Sequence, residues 1–215
     1  MSTISSTPSL GHEADSTAIS RLLSHLIRRA TPDDLPAIGA VHRAAFPTNV
    51  EARLVALLIE RGKATISLVA EIDRQVIGHI LFSPATVGPT GSVGPELHED
   101  SALVNATSAD PSKANPGLGL APLAVLPPFQ NQGIGTALVR AGLAECHRLN
   151  VPWVVVLGHE TYYPRFGFAP ASHWNLTGDY GSSDAFQFLP LTAAADSLRG
   201  GYIRYAPEFD EFSDP

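Results

Sequence analysis

A glycine-rich turn lies at the centre of the chain, in the sequence Gln130-Asn131-Gln132-Gly133-Ile134-Gly135. An apolar run precedes it and a helix-like segment follows it, so the turn is predicted to join a strand to the start of a helix. The first backbone N–H groups of a helix have no partner within the helix, and together with the helix dipole they attract anions. Glycine at positions 133 and 135 lets the backbone approach phosphate oxygens closely, because a Cβ would intrude. This spacing therefore favours phosphate binding.

The segments on either side place the turn in a defined order. Leu118 to Leu126 is predicted to be a strand, Thr136 to Asn150 a helix, and Val151 to Leu157 a second strand. The sequence Tyr162-Tyr163-Pro164-Arg165-Phe166-Gly167-Phe168 follows. The order of strand, glycine turn, helix, strand and aromatic element predicts an α/β domain that holds a phosphate-bearing cofactor.

The glycine spacing disfavours two common nucleotide sites. The turn lacks the Gly-Lys-Ser/Thr of a Walker A loop, and it lacks the third glycine of the dinucleotide fingerprint. A nicotinamide cofactor is therefore disfavoured. Taken alone, the turn is equally consistent with a strand-to-helix connection that binds no ligand, and the flanking segments are what raise its specificity.

Over about residues 26 to 205 these segments together resemble the GCN5-related N-acetyltransferase (GNAT) superfamily. The run from Gly158 to Ala171 is similar to one bacterial and fungal subgroup of N-acetyltransferases. The segments Glu51-Ala52-Arg53-Leu54-Val55 and Gly78-His79-Ile80-Leu81-Phe82-Ser83 are similar to early parts of that subgroup. The resemblance implies the acyl-CoA N-acyltransferase fold, in which helices flank a mixed, mostly antiparallel sheet.

The resemblance also implies acetyl-CoA as the cosubstrate, with no metal. The strand that ends near Leu126 would splay from the next strand, and the pantetheine arm would pair with its backbone as an added strand. The implied cofactor-binding residues are Leu123, Ala124, Val125, Gln130, Asn131, Gln132, Gly133, Ile134, Gly135 and Thr136. The family usually carries Arg or Lys at the variable positions of the turn, where this chain has neutral side chains. This departure predicts a modest affinity and a weaker contact to the outer phosphate of the cofactor.

Acetyl transfer to an amine needs three groups. A lysine-like amine has a pKa of about 10.4, so a general base must remove a proton, often through water. A backbone N–H near Val125 or Leu126 is expected to stabilise the charge that develops on the thioester oxygen. Tyr163 aligns with the tyrosine of the family's aromatic element, which implies that it is the general acid. The alternative, that Tyr163 only packs on the cofactor arm, stays open.

The sequence does not identify the general base. Glu51 is preferred because it begins a predicted helix beside the cleft, and His79 is the second choice because it follows Gly78 on a strand. His79 is equally consistent with a buried core histidine. The full set of candidates is Glu51, Glu71, His79, His159 and Glu160.

Composition and charge narrow the function further. The net charge of −7 disfavours nucleic acid as a partner and favours cationic substrates. No apolar stretch reaches the roughly 20 residues that span a bilayer, and no metal-ligand spacing is present. The single cysteine, Cys146, is predicted to be buried in a helix, and with no secretory signal the expected location is the cytoplasm.

The chain is predicted to contain one N-acetyltransferase domain, residues 25–206. Residues 1–24 are expected to form a disordered or loosely packed tail, and residues 207–215 an acidic tail. A long loop is expected at residues 83–117, either disordered or placed beside the substrate.

The predicted reaction is direct attack of a small-molecule or peptide amine on acetyl-CoA within a ternary complex. The sequence does not specify the oligomeric state, and a homodimer is one option that the resemblance implies, since many relatives of this fold pair through edge strands. One alternative is a catalytically silent CoA-binding sensor or interaction module of the same fold. Others are transfer of a larger acyl group, or transfer to a protein N-terminus or to aminoacyl-tRNA.

Overall fold

The computed structural model describes residues 26–89, 115–179, 181 and 183–212. This part of the chain forms nine strands and four α-helices, with short 3-10 turns between some of them. The tail predicted for residues 1–24 lies outside the described residues. The strands and α-helices are β1 (Ile27–Arg29), α1 (Leu35–Ala45), α2 (Val50–Glu60), β2 (Ile66–Ile72), β3 (Gln75–Gly88), β4 (Asn115–Val125), α3 (Ile134–Arg148), β5 (Trp153–Leu157), β6 (Ala169–Pro170), β7 (Leu176–Gly178), β8 (Phe186–Pro190), α4 (Ala193–Asp196) and β9 (Gly201–Arg204).

The strands form one mixed sheet in the order β1-β2-β3-β4-β5-β8-β6, and β9 pairs with the far end of β3 and with β7. Neighbouring strands are antiparallel except for β4 with β5 and β7 with β9. The α/β prediction of a mixed, mostly antiparallel sheet flanked by helices is confirmed.

Helices cover both faces of the sheet because each presents a stripe of apolar residues at helical spacing. On one face, α1 and α2 bury residues such as Ile38 and Leu58 in a cluster that includes Val69 of β2. On the other face, α3 buries Leu138 against a cluster that includes Phe82 of β3. In the part of the chain that the structure describes, no helix is long and apolar enough to cross a membrane.

The connection between β3 and β4 is shorter than the sequence predicts. β3 continues to Gly88 and β4 begins at Asn115, so both strands extend into the segment 83–117 that was expected to be a loop. The extended parts pair with each other, for example Ser83 with Gly119, and β9 pairs with the end of β3. This pairing stabilises the extended parts of β3 and β4, whose Gly and Pro content does not indicate strands in the sequence. Residues 90–114 lie outside the described residues.

The acidic C-terminal segment is also more ordered than predicted. Pro207–Phe212 forms a 3-10 helix in which Glu208 and Phe209 are buried. Arg61 at the end of α2 pairs with Glu211 at 2.7 Å and with Glu208 at 3.8 Å. Pro207–Phe212 therefore packs on the domain, held by the burial of Phe209 and by the ion pairs of Arg61.

Candidate functional site

β4 and β5 separate partway along their length. They pair only at Leu118 with Val154 and at Gly119 with Val155. Beyond that point each strand continues without pairing to the other, so the β5-facing edge of β4 is open. A cavity of about 860 Å³ lies there, lined by β4 residues 120–123 and by the segment 157–163 after β5. This is the splayed pair of strands that the sequence resemblance implies.

The backbone of β4 presents one predicted donor to the open edge. The Leu126 N–H donates to the Ile77 carbonyl at 2.8 Å, so it faces β3 and is occupied. N–H groups of adjacent residues point to opposite edges of a strand, so the N–H of Val125 points to the open edge. Of the two donors expected from sequence, the structure favours Val125. The Gln130 side chain donates to the Val125 carbonyl at 2.9 Å and ties the glycine turn to the end of the strand.

The glycine turn delivers the chain into α3 as predicted. Gly133 precedes the helix with φ of +84°, a left-handed conformation that favours glycine. The first bond of the helix runs from the Ala137 N–H to the Gly133 carbonyl at 2.9 Å, and no side chain caps the helix. The N–H groups of residues 134–136 therefore lack helical partners. A second cavity, of about 470 Å³, lies against this helix start and is lined by Gly133, Gly135 and Thr136.

The two cavities form one cleft, since Leu123 and Tyr162 line both of them. Leu157 on the wall of the larger cavity is 44% exposed, so its side chain presents apolar surface to the cleft. A long ligand with an apolar arm and an anionic end matches this arrangement.

Tyr163 lies in the wall of the larger cavity and is only 7% exposed. Its ring packs edge-on against Tyr162 and Phe168, with centroid distances of 5.1 and 5.6 Å. A Cβ at Gly158 would overlap this ring, so glycine at that position allows the packing. Burial raises the pKa of Tyr163 above its ordinary value, so its hydroxyl keeps its proton at neutral pH and is a competent donor.

Three of the five base candidates line the same cavity as Tyr163: Glu51, His159 and Glu160. Glu51 is half-buried in the first turn of α2, and its Oε2 accepts a hydrogen bond from the Thr48 hydroxyl at 3.3 Å. Glu71 is elsewhere, in an ion pair with Arg28.

The structure places His79 in the core, away from the cleft. It is fully buried, with Nδ1 2.9 Å from Nε2 of His42 and Nε2 2.9 Å from the Ser67 hydroxyl. Burial lowers the pKa of His79 to about 3 and that of His42 to about 4, so both rings are neutral at physiological pH. His79 therefore matches the core-histidine alternative, and it takes no part in the mechanism proposed below.

Metal and thiol chemistry find no support at this site. Across residues 26–89, 115–179 and 183–212, no three His, Cys, Asp or Glu side chains come together to hold a metal. Cys146 is fully buried in α3, and burial raises the pKa of its thiol to about 12. This is the buried, inert cysteine that the sequence predicts.

Sequence reasoning missed two residues of the cleft. Arg165 lines the cavity beside the helix start, and the Tyr162 ring lines both cavities. Both lie inside the quoted aromatic element. The sequence contained one signal for Arg165. It is a cationic residue close to an aromatic pair, in a chain whose glycine turn contains no cationic residue.

Comparisons with known proteins agree with this geometry. The family model described as Acetyltransferase (GNAT) family matches residues 26–168. The chain is 36% identical over 191 residues to YhbS of Escherichia coli K12, an uncharacterised N-acetyltransferase, covering 87% of this chain and 99% of that protein.

Two solved structures also match closely. The crystal structure of E. coli YhbS in complex with CoA superposes with a TM-score of 0.72 at 34% identity, covering 87% of this chain and 93% of that one. A GNAT family acetyltransferase from Brucella melitensis, in complex with acetyl-CoA, gives a TM-score of 0.62 at 31% identity, covering 86% and 97%.

The fold and the site thus define an acyltransferase of the acetyl-CoA-dependent N-acetyltransferase class. The chain belongs to the acetyltransferase (GNAT) family, and the resemblance inferred from its sequence is confirmed.

Proposed function

We propose that this protein transfers the acetyl group of acetyl-CoA to a primary amine of a small molecule or peptide by direct attack in a ternary complex. One observation carries the proposal: the open edge of β4 runs into the uncapped start of α3, and Tyr163 lies in the wall of the same cleft. The relatives crystallised with CoA and acetyl-CoA support it. The free buried Cys146 fits a reducing compartment, and we infer a cytoplasmic enzyme.

The residues of the cleft fit this cosubstrate part by part. The backbone of Leu123, Ala124 and Val125 would pair with the amides of the pantetheine arm, and Leu157 offers that arm an apolar wall. The N–H groups at the start of α3 would hold the pyrophosphate, as helix starts hold anions elsewhere. A Cβ at Gly135 would lie 3.1 Å from the Tyr162 hydroxyl, so glycine keeps this end of the cleft open.

Acetyl-CoA supplies the activated acetyl group as a thioester. We assign Glu51 the role of general base: it would take a proton from the acceptor ammonium through water, so that the neutral amine attacks. A nitrogen–carbon bond then forms and the carbon–sulfur bond breaks. The Val125 N–H would stabilise the negative charge on the thioester oxygen, and the Tyr163 hydroxyl would give its proton to the departing thiolate. As the intermediate collapses, the nitrogen would release its second proton to solvent, and Tyr163 would regain a proton from solvent.

The charges in the cleft favour an acceptor that arrives as a cation. Glu51 and Glu160 come from different elements and line the same cavity, and the chain as a whole carries a net charge of −7. A protonated amine is attracted to such a cleft, which raises its local concentration before it loses a proton. This supports a small-molecule or peptide amine rather than aminoacyl-tRNA.

Replacing Tyr163 by Phe tests the enzymatic part of the proposal. We expect Tyr163→Phe to lower kcat by about 10²-fold, within the range for general acid catalysis, with little change in the Kd of acetyl-CoA. Tyr202→Phe, on β9 and outside both cavities, is the matched control. An unchanged kcat would remove Tyr163 from the mechanism.

The same assay addresses the alternative of a silent CoA-binding module. That alternative predicts wild-type protein that binds acetyl-CoA but releases no CoA thiol beyond the uncatalysed rate with any amine of a broad library. Release of thiol with at least one amine, dependent on Tyr163, supports the enzyme.

A further inference from the structure

The cavity at the start of α3 has one charged side chain among the described residues that line it, Arg165. The glycine turn itself offers only neutral side chains at Asn131 and Gln132, and the Gln132 amide is occupied by the Pro128 carbonyl at 2.9 Å. A pyrophosphate brings about two negative charges, which helix-start amides meet only with partial positive charge. The cavity therefore holds one full cation, and it comes from outside the turn.

The fold holds Arg165 close to the helix start. Its guanidinium lies over the Tyr162 ring, with Cζ 4.5 Å from the centroid. The Tyr162 hydroxyl in turn approaches Gly135, since a Cβ there would lie 3.1 Å away. The Tyr162 ring thus bridges the cation to the first turn of α3, and a stacked guanidinium needs less ordering to bind an anion.

The charge of Arg165 is available to a ligand. In the part of the chain that the structure describes, the ion pairs involve other arginines, and Arg165 takes part in none of them. The side chain is exposed at the mouth of the cavity. Its planar fork matches the geometry of two phosphate oxygens.

We propose that Arg165, stacked on Tyr162, binds a phosphate group of the coenzyme and supplies the cation that the glycine turn lacks. This inference rests on the proposed function, because it assumes that the cleft holds acetyl-CoA. It assigns the tyrosine ring a positioning role and the arginine a binding role. The phosphate is either the pyrophosphate or the 3′-phosphate of the ribose, and both present the same chemistry to the guanidinium.

The test is calorimetric titration of wild-type protein and Arg165→Gln with CoA, 3′-dephospho-CoA and pantetheine. Loss of a charge-assisted contact is expected to weaken CoA binding by about tenfold and to flatten its dependence on salt, while pantetheine is unaffected. Arg204→Gln is the matched control, because Arg204 also stacks on a tyrosine, Tyr202 at 5.6 Å, but lines neither cavity. Arg165→Lys should recover part of the lost affinity.

Comparison of CoA with 3′-dephospho-CoA shows which of the two phosphate groups Arg165 contacts. Equal weakening for CoA and 3′-dephospho-CoA supports a contact to the pyrophosphate, and weakening for CoA alone supports a contact to the 3′-phosphate. Tyr162→Leu should weaken CoA binding less than Arg165→Gln does, because it leaves the charge but removes its support. Wild-type affinity of Arg165→Gln for both ligands overturns this role and leaves the proposed function standing. A wild-type protein that binds no CoA overturns both.

Discussion

The buried histidine pair predicts that the protein loses stability in mild acid. His42 and His79 are fully buried and joined by a hydrogen bond of 2.9 Å. Burial lowers the pKa of His42 to about 4 and that of His79 to about 3, so both stay neutral in the folded state at pH 5. In the unfolded chain each returns to a pKa of about 6.5 and takes up a proton below that pH. The free energy of unfolding therefore decreases as the pH falls through 6.5.

The size of the loss at pH 5 follows from the unfolded pKa alone. Each histidine contributes about 2 kcal/mol between pH 7 and pH 5, because about 1.5 pH units separate pH 5 from the unfolded pKa. The pair therefore lowers the free energy of unfolding by about 4 kcal/mol. Asp34 shifts in the opposite sense to the histidines, because Arg28 stabilises its charged form and holds its pKa well below the usual range. The stability that this ion pair contributes is lost only below a pH of about 4, outside the range from pH 7 to pH 5.

Urea unfolding at pH 7, 6 and 5, followed by the fluorescence of buried Trp153, measures this loss. The double variant His42→Gln/His79→Gln should lose about 4 kcal/mol less than wild type between pH 7 and pH 5, whatever its stability at pH 7. His159→Gln, at an exposed position, is the control, and its free energy of unfolding should change with pH as that of wild type does. A wild-type stability that is flat from pH 7 to pH 5, or a double variant with the wild-type slope, would refute the reasoning.

Three glycine substitutions give further predictions. Gly142→Ala should destabilise the fold by about 1–3 kcal/mol despite the higher helix propensity of alanine, because its Cβ would overlap the buried Phe82 ring; thermal unfolding measures it. Gly39→Ala, also in a helix, should instead stabilise by about 0.5–1 kcal/mol, because its Cβ would meet only the flexible end of a side chain at 3.0 Å. The opposite ordering would contradict the packing of α3. Gly158→Ala should lower kcat by about tenfold or more, since it displaces the Tyr163 ring; kcat equal to that of Gly39→Ala would argue against a positioned hydroxyl.

Local patterns allowed much of the cofactor cleft to be predicted. The glycine turn needs Gly133 in a left-handed conformation, and the sequence marks this directly. The hairpin between β2 and β3 is also set by neighbouring residues: Ile72 pairs with Gln75, and the two residues between them have positive φ. In both cases the sequence determines the structure over a few residues.

Features that depend on distant contacts were not predictable. His79 on β3 forms a hydrogen bond with His42 on α1, which lies 37 residues earlier in the chain. The spacing of apolar residues does not predict which helix side chain will contact which strand side chain. Pairing on both sides turns a Gly- and Pro-rich segment near Ser83 into strand, and Arg61 draws the acidic C-terminal segment onto the domain. The proposed role of Arg165 depends on its stacking on Tyr162 and on its place beside the helix start, and the sequence shows neither contact.

The cleft between β4 and the start of α3 is the proposed binding site for acetyl-CoA. Calorimetric titration with acetyl-CoA, with ATP and NAD as controls, tests this most directly. We expect saturable binding of acetyl-CoA at one site per chain, and much weaker or undetectable binding of ATP and NAD, because neither carries a pantetheine arm to pair with β4. No binding at millimolar acetyl-CoA, or binding of ATP with equal affinity, would contradict it.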